Sequence, residues 1–359
     1  MKICFFIDSM APAAGIERVI SILGGLWVDS GYEVTILRKD DNQSFYQLHK
    51  NIHLETMNYV PKKIAKSKVK KAINIAYEII RLRNSLREKI ENIKPDYIYC
   101  ATAANAFLAY YALRKRHRII AGEHGVYDAS HLVYKILKRT IYPKIYAVIA
   151  LTKADLQRYL KINKNSFYVP NPLPLNFGKK SDLKNKQVIA VGRFVPEKGY
   201  DYMLNAWALV TRKHPDWKLK IFGEGYLKEA IQKIIDKENL RDSVFLEGLS
   251  DNITEEYTKS SIFLMSSKNE GWSMAMLEAM ACGLPVVSFN TPAGPREILG
   301  DYYGLTAECY NIEDLALNLC RMMKDESLRS VYSDRSIKRA LDYRAEIIID
   351  IWNNIFNQD

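Results

Sequence analysis

The chain has 359 residues, 48% of them apolar, 26% charged and 11% aromatic, a balance that excludes a disordered or fibrous protein and allows two domains of roughly 100–200 residues each. Its formal charge of +11 is unevenly spread: residues 1–180 carry 30 Lys+Arg against 14 Asp+Glu, a net +16, and residues 181–359 carry 22 against 27, a net −5. A first half of that sign seeks anions, and its candidate partners are nucleic acid, an anionic membrane face or a phosphorylated substrate.

Residues 2–7 form an apolar run of parallel-strand length, too short and too soon broken by Asp8 to read as a secretory signal. A loop over 8–15 then feeds an apolar-periodic helix over 17–29, and residues 34–37 supply the next strand. This alternation predicts a doubly wound parallel sheet, continued by strands at 97–100, 118–121, 147–150 and 166–169. The uncharged stretch 97–113 falls just short of the ~18 apolar residues of a membrane span and reads as a strand running into a helix.

Three prolines within 170–174 and a polar, lysine-rich passage over 176–186 mark a domain boundary. The first domain is expected over 1–178 and the second over 184–345, with a terminal helix over 346–359 able to pack back on the first. Strands at 188–191, 219–222, 244–247, 262–265 and 285–288 repeat the alternation, so two similar α/β domains facing across a cleft are implied. The five cysteines (Cys4, Cys100, Cys282, Cys309 and Cys320) form no C-x-x-C pair and read as buried thiols in a reducing cytosol.

The most informative segment runs from Glu270-Gly271-Trp272-Ser273-Met274 through Glu278 to Gly283 and Val287. A strand ends at Ser266, a glycine turn follows, and an apolar helix starts near Ser273. Its free backbone N–H groups are a natural place for a phosphate or sugar oxygen. Carboxylates suit sugar hydroxyls because each oxygen accepts charge-assisted hydrogen bonds. As two isolated glutamates, Glu270 would merely answer the helix dipole and Glu278 would sit on the surface.

In its setting the pair resembles the donor-site signature of family 4 retaining glycosyltransferases. The segment Val191-Gly192-Arg193 through Lys198-Gly199 resembles the same family's strand-end segment, and Pro292-Ala293-Gly294 through Glu297 resembles its next one. The resemblance implies a GT-B fold, an α/β architecture of two Rossmann-like doubly wound domains. It further implies Arg193 and Lys198 on the donor diphosphate, Glu278 on the ribose, Glu270 on the hexose hydroxyls, and Gly271, Trp272, Ser273 and Met274 lining the nucleotide-sugar site. Two fixed cations would stabilise the charge that grows on a departing nucleoside diphosphate.

Ala13-Ala14-Gly15-Ile16-Glu17-Arg18 resembles the family's glycine loop with Ala14 in place of one glycine, so Gly15 is expected as a backbone donor to the pyrophosphate. Glu123-His124-Gly125 stands where the family places a histidine near the transferred sugar; a lone histidine is otherwise structural. Asn171 is read as a structural turn residue. Gly223-Glu224-Gly225 lacks the third glycine of a dinucleotide fingerprint, which disfavours a dehydrogenase. With no Asp-x-Asp, no His-Glu-x-x-His and no carboxylate cluster, neither metal nor cofactor is expected.

Lys62, Lys63, Lys66, Lys68, Lys70 and Lys71, followed by Arg81, Arg83 and Arg87 on a helical pattern, admit three readings. They form a solvated helix face, dock on an anionic membrane surface, or meet the pyrophosphate of a polyprenyl-linked acceptor. The last placement resembles bacterial transferases that extend undecaprenyl-diphosphate-linked glycans. Nucleic acid is not expected, because no aromatic-basic recognition motif accompanies the lysines. The expected protein is a cytoplasmic retaining glycosyltransferase, peripheral on the inner face of a bacterial membrane. It would move a hexose or N-acetylhexosamine from a nucleotide sugar, by resemblance a UDP-sugar, to a polyprenyl-diphosphate-linked glycan. Its rivals are a nonenzymatic nucleotide-sugar-binding protein and a GT-B epimerase or phosphorylase acting on soluble substrates.

Overall fold

A computed structural model describes residues 1–59, 68–113, 117–128, 132–173 and 179–357. The chain divides into two compact units, Met1–Pro172 with Ile348–Asp359, and Leu173–Ile347.

The first unit runs β1 (Lys2–Ile7), α1 (Gly15–Asp29), β2 (Glu33–Arg38), β3 (His53–Thr56), α2 (Lys68–Ile93), β4 (Tyr97–Cys100), α3 (Ala103–Leu113), β5 (Arg118–Glu123), α4 (Leu132–Ile141), β6 (Ala147–Ala150), α5 (Lys153–Tyr159) and β7 (Ser166–Tyr168). Its seven strands lie in the order β3-β2-β1-β4-β5-β6-β7, with every neighbouring pair parallel. The inner strands are short apolar runs because both faces of a parallel sheet are covered. Within β1 the side chains alternate: Cys4 and Phe6 join the core of Leu86, Ile90 and Phe107 beneath α2 and α3, whereas Phe5 stacks at 4.6 Å on Trp27 of α1.

The second unit runs β8 (Gln187–Val191), α6 (Tyr200–Thr211), β9 (Lys218–Phe222), α7 (Lys228–Lys237), β10 (Val244–Gly248), α8 (Ile253–Thr258), β11 (Ile262–Met265), α9 (Met274–Ala281), β12 (Val286–Phe289), α10 (Gly294–Leu299), β13 (Leu305–Ala307), α11 (Ile312–Lys324) and α12 (Glu326–Leu341). Its six strands are parallel in the order β10-β9-β8-β11-β12-β13. Trp207, Leu204, Leu219, Ile221 and Leu319 fill the core between sheet and helices.

A last helix, α13 (Ala345–Phe356), carries the chain back to the first unit. There Trp352 meets Trp27 edge-on at 5.2 Å, and the Tyr97 hydroxyl donates to the Phe356 carbonyl at 2.8 Å. Both sheets are therefore doubly wound and parallel, as the alternation of the sequence predicts.

Several local expectations are corrected. Helix α1 begins at Gly15, two residues before the periodic run, and β12 lies one residue later than expected. Strands β3 and β13 were not foreseen; His53-Leu54-Glu55-Thr56 has no apolar run because it is an edge strand with His53 and Leu54 exposed. Of the thiols, Cys4, Cys100 and Cys282 are buried as expected, but Cys309 and Cys320 are only half-buried.

Lys62, Lys63 and Lys66 lie outside the described residues. Lys68, Lys70 and Lys71 open the backbone of α2, with side chains outside the description. Arg87 is not free for an anion, since its guanidinium donates to the Ala112 carbonyl at 2.9 and 3.1 Å. Among the described residues no helix is long and apolar enough to cross a membrane.

Candidate active site

In the second unit the sequence brings β8 and β11 side by side, so the loops that follow them are neighbours. The β8 loop holds Arg193 and a single helical turn Pro196–Lys198, ended by Gly199 at φ +64°. A Cβ on Gly199 would stand 2.2 Å from the Ser266 carbonyl of the β11 loop. Only glycine accepts both the left-handed backbone and that approach. The two loops are tied together there: Ser266 Oγ donates to the Gly199 carbonyl at 2.9 Å, and the Lys268 N–H donates to the Glu197 carbonyl at 2.8 Å.

This junction places Lys198 Nζ in an ion pair with Glu270, whose carboxylate also accepts from Ser267 Oγ at 3.2 Å. Both side chains keep some exposure, 20% for Lys198 and 13% for Glu270. Two residues named separately by the motif thus occupy one spot. Arg193, on the same β8 loop, is exposed, and its guanidinium has no partner among the described residues. The Phe194 N–H donates to the Glu224 carbonyl at 2.8 Å, which holds the Gly223-Glu224-Gly225 loop against that turn. Those glycines therefore pack loop on loop.

Beyond Glu270 the chain enters α9. Ser273 is its N-cap, its side chain accepting from the Met276 N–H at 3.3 Å. Trp272 and Met274 are buried, and Trp272 packs edge-on against Tyr343 at 5.0 Å. Their side chains anchor the turn in the core, so what Gly271–Met274 can offer a ligand is backbone. Glu278, the second glutamate of the motif, is 6% exposed, with the Tyr257 hydroxyl 3.5 Å from its carboxylate. This overturns the reading of Glu278 as a surface residue.

Sequence reasoning missed the support beneath this turn. The Gly294 N–H donates to the Glu270 carbonyl at 3.1 Å, and Ala293 before it sits at φ +131°, a backbone region disfavoured for alanine. The Tyr200 hydroxyl donates to the Gly192 carbonyl at 2.7 Å; burial, with Glu270 nearby, raises its pKa well above the usual phenol value.

In the first unit, Gly15 is the first residue of α1, exposed, and a Cβ built on it meets nothing within 4 Å. The fold itself therefore does not demand glycine there. Ala14, at the N-cap, supplies no side-chain acceptor, so no cap takes up the first-turn N–H groups of α1. His124 follows β5, half-buried, with Nε2 2.9 Å from the Tyr99 hydroxyl; burial pushes its pKa down to about 4. Just before it, Glu123 is sealed in the core with Lys138 Nζ at 2.6 Å and accepts from the Tyr142 hydroxyl.

Nothing in the sequence pattern pointed to Lys39, the residue after β2. It is 2% exposed, between Asp8 at 2.7 Å and Glu78 at 3.2 Å. Among the described residues no group of three His, Cys, Asp or Glu side chains could hold a metal ion.

Comparison with known proteins bears on both units. The family described as Glycosyltransferase Family 4 matches residues 13–177, and the family described as Glycosyl transferases group 1 matches residues 175–339. An uncharacterized glycosyltransferase of Haemophilus influenzae is 29% identical over 99% of both chains. The N-acetylgalactosamine-N,N'-diacetylbacillosaminyl-diphospho-undecaprenol 4-alpha-N-acetylgalactosaminyltransferase of Campylobacter jejuni is 26% identical over 94% of both. Among solved structures, a mutant of S. aureus TarM in complex with fondaparinux, alpha-GlcNAc-glycerol and UDP superposes with a TM-score of 0.83 at 17% identity, covering 99% of this chain and 100% of that one.

Proposed function

Because the chain belongs to the GT-B glycosyltransferases, its first half a family 4 domain and its second a group 1 domain, we propose that it is a retaining enzyme moving a hexose or N-acetylhexosamine from a UDP-sugar to a polyprenyl-diphosphate-linked glycan. The observation that carries this reading is the meeting of Lys198 and Glu270 ahead of α9, with Arg193, whose guanidinium has no partner among the described residues, on the same loop as Lys198. A cation and a carboxylate in one place suit a ligand whose phosphate and sugar hydroxyls are adjacent.

In this reading Arg193 and Lys198 bind the diphosphate, Glu270 the hexose hydroxyls, Glu278 the ribose, and the N–H groups of Gly271–Met274 and Gly15 the phosphate oxygens. His124 lies near the sugar. The acceptor hydroxyl attacks the anomeric carbon on the face the diphosphate leaves. The C–O bond to phosphate breaks, and the departing phosphate oxygen takes the acceptor proton, so no separate base is required. Fixed cations and helix N-termini balance the growing charge in place of a metal.

The Campylobacter relative, whose name specifies an undecaprenol-linked acceptor, supports the acceptor class, and the UDP bound to TarM supports the nucleotide. The basic first half of the chain supports a place on an anionic membrane face, with Lys62, Lys63, Lys66, Lys68, Lys70 and Lys71 as its contacts. The alpha-GlcNAc-glycerol in the TarM structure favours a glycerol-based polyol as the second acceptor class.

The test is mass-detected glycan extension by purified protein, using UDP- and GDP-sugars with either polyprenyl-diphosphate glycans or poly(glycerol phosphate). Arg193→Ala should slow transfer by about 100-fold or more. Near-normal transfer by that variant would sink the assignment, and extension of the polyol alone would replace the acceptor class.

A further inference from the structure

His124 has a single hydrogen-bond partner among the described residues, and it is a buried tyrosine. Tyr99, third residue of β4, is 2% exposed. Phe5 of β1 at 5.4 Å, Trp27 of α1 at 6.4 Å and Trp352 of α13 at 5.7 Å clamp its ring edge-on. Tyr99 pairs with Ile120 across the β4–β5 ladder, so its hydroxyl reaches His124 by passing Gly122. A Cβ on Gly122 would stand 2.1 Å from that hydroxyl oxygen and 2.4 Å from the carbon bearing it. Any other residue at 122 would displace the phenol, so Gly122, Tyr99 and His124 act as one device.

The direction of the hydrogen bond follows from what each group can do. Burial holds the Tyr99 phenol far above its usual pKa and the imidazole at about 4, so both are neutral near pH 7. The buried phenol proton needs an acceptor, and Nε2 is the one within reach. A neutral imidazole that accepts at Nε2 carries its proton on Nδ1. Nδ1 has no partner among the described residues, and the ring is half-buried. An N–H of fixed direction is thereby left for a ligand.

We propose that Tyr99 is the positioning residue of this site, fixing the ring orientation and the Nδ1–H tautomer of His124 so that the imidazole presents a donor to an oxygen of the transferred sugar. The inference rests on the reading of His124 as a sugar contact.

Two readouts separate it from that reading. Long-range proton–nitrogen NMR of the full chain near pH 7.5, with His124 assigned by its loss in His124→Gln, should show the Nδ1–H tautomer. Tyr99→Phe, which removes only a hydroxyl, should convert it to a mixture. In transfer assays Tyr99→Phe should lower kcat about tenfold with donor KM changed less than about twofold, and should add less than about twofold in the His124→Gln background. An unchanged tautomer in Tyr99→Phe, or an equal slowing in both backgrounds, would overturn the positioning role. Wild-type turnover by His124→Gln would instead remove His124 as a sugar contact, and the tautomer would still decide what Tyr99 does.

Discussion

Two lysine–glutamate pairs, one in each unit, show how the same two residue types serve different ends. Lys138 and Glu123 are sealed, with side-chain exposures of 4% and 6%. The Tyr142 hydroxyl donates to Glu123, and Lys138 also donates to the Tyr159 hydroxyl at 3.2 Å. Lys198 and Glu270 keep 20% and 13%, and among the described residues only Ser267 adds a hydrogen bond to that carboxylate. Taking an ion pair out of water costs several kcal/mol per ion unless every remaining lone pair and proton finds a partner. The first pair meets that demand from the protein and belongs to the fold. The second leaves capacity to be met from outside, as a binding site must.

The contrast breaks most visibly in Glu123→Ala, which leaves the Lys138 charge buried without its carboxylate. Urea denaturation should show a loss of about 3–5 kcal/mol, and Lys138→Met added to it should recover most of that. Lys198→Met should do the reverse. Transfer should fall by about 100-fold while stability falls by less than in Glu123→Ala, because this pair keeps partial contact with water, which can solvate the carboxylate left behind. If Lys198→Met unfolded the protein and kept its turnover, the two pairs would not differ in kind.

A smaller effect comes from His124, which burial holds at a pKa of about 4, below the ordinary imidazole value of 6.5. The unfolded chain takes up a proton there as pH falls through 6.5, whereas the folded one does not until about 4. This residue's contribution is therefore fully present above 6.5 and is lost on acidification, by at most about 1.4 kcal/mol per pH unit. His124→Gln should flatten the stability profile between pH 6.5 and 4 relative to wild type. The smallest change is Ser273→Ala, which removes the N-cap of α9 at a cost of about 1 kcal/mol and should lower the thermal midpoint without altering which donor is used.

Much of the candidate site was legible because its elements are local. Glu270, Ser273 and Glu278 lie within nine consecutive residues of a strand–turn–helix segment, and the order of polar, small and apolar types there states the turn, the cap and the helix together. Arg193 and Lys198, on one loop after an apolar strand, were readable only through the resemblance of that loop to a known family's segment. The central strands announced themselves through unbroken apolar runs, the consequence of burial on both faces. Edge strands β3 and β13 carry no such run, since one side of each has no neighbouring strand.

What sequence could determine was the alternation of strands and helices, the parallel sheets it entails, and the chemical types gathered at strand ends, because each depends on residues close along the chain. Only the tertiary structure could decide that Lys198 would meet Glu270, 72 residues away, or that Tyr99 would reach under Gly122 to His124. It alone set Trp352 of the terminal helix against the Tyr99 ring and turned Trp272 and Met274 into the core. Those outcomes depend on which strands become neighbours and which side chains share a buried volume, and spacing along the chain carries neither.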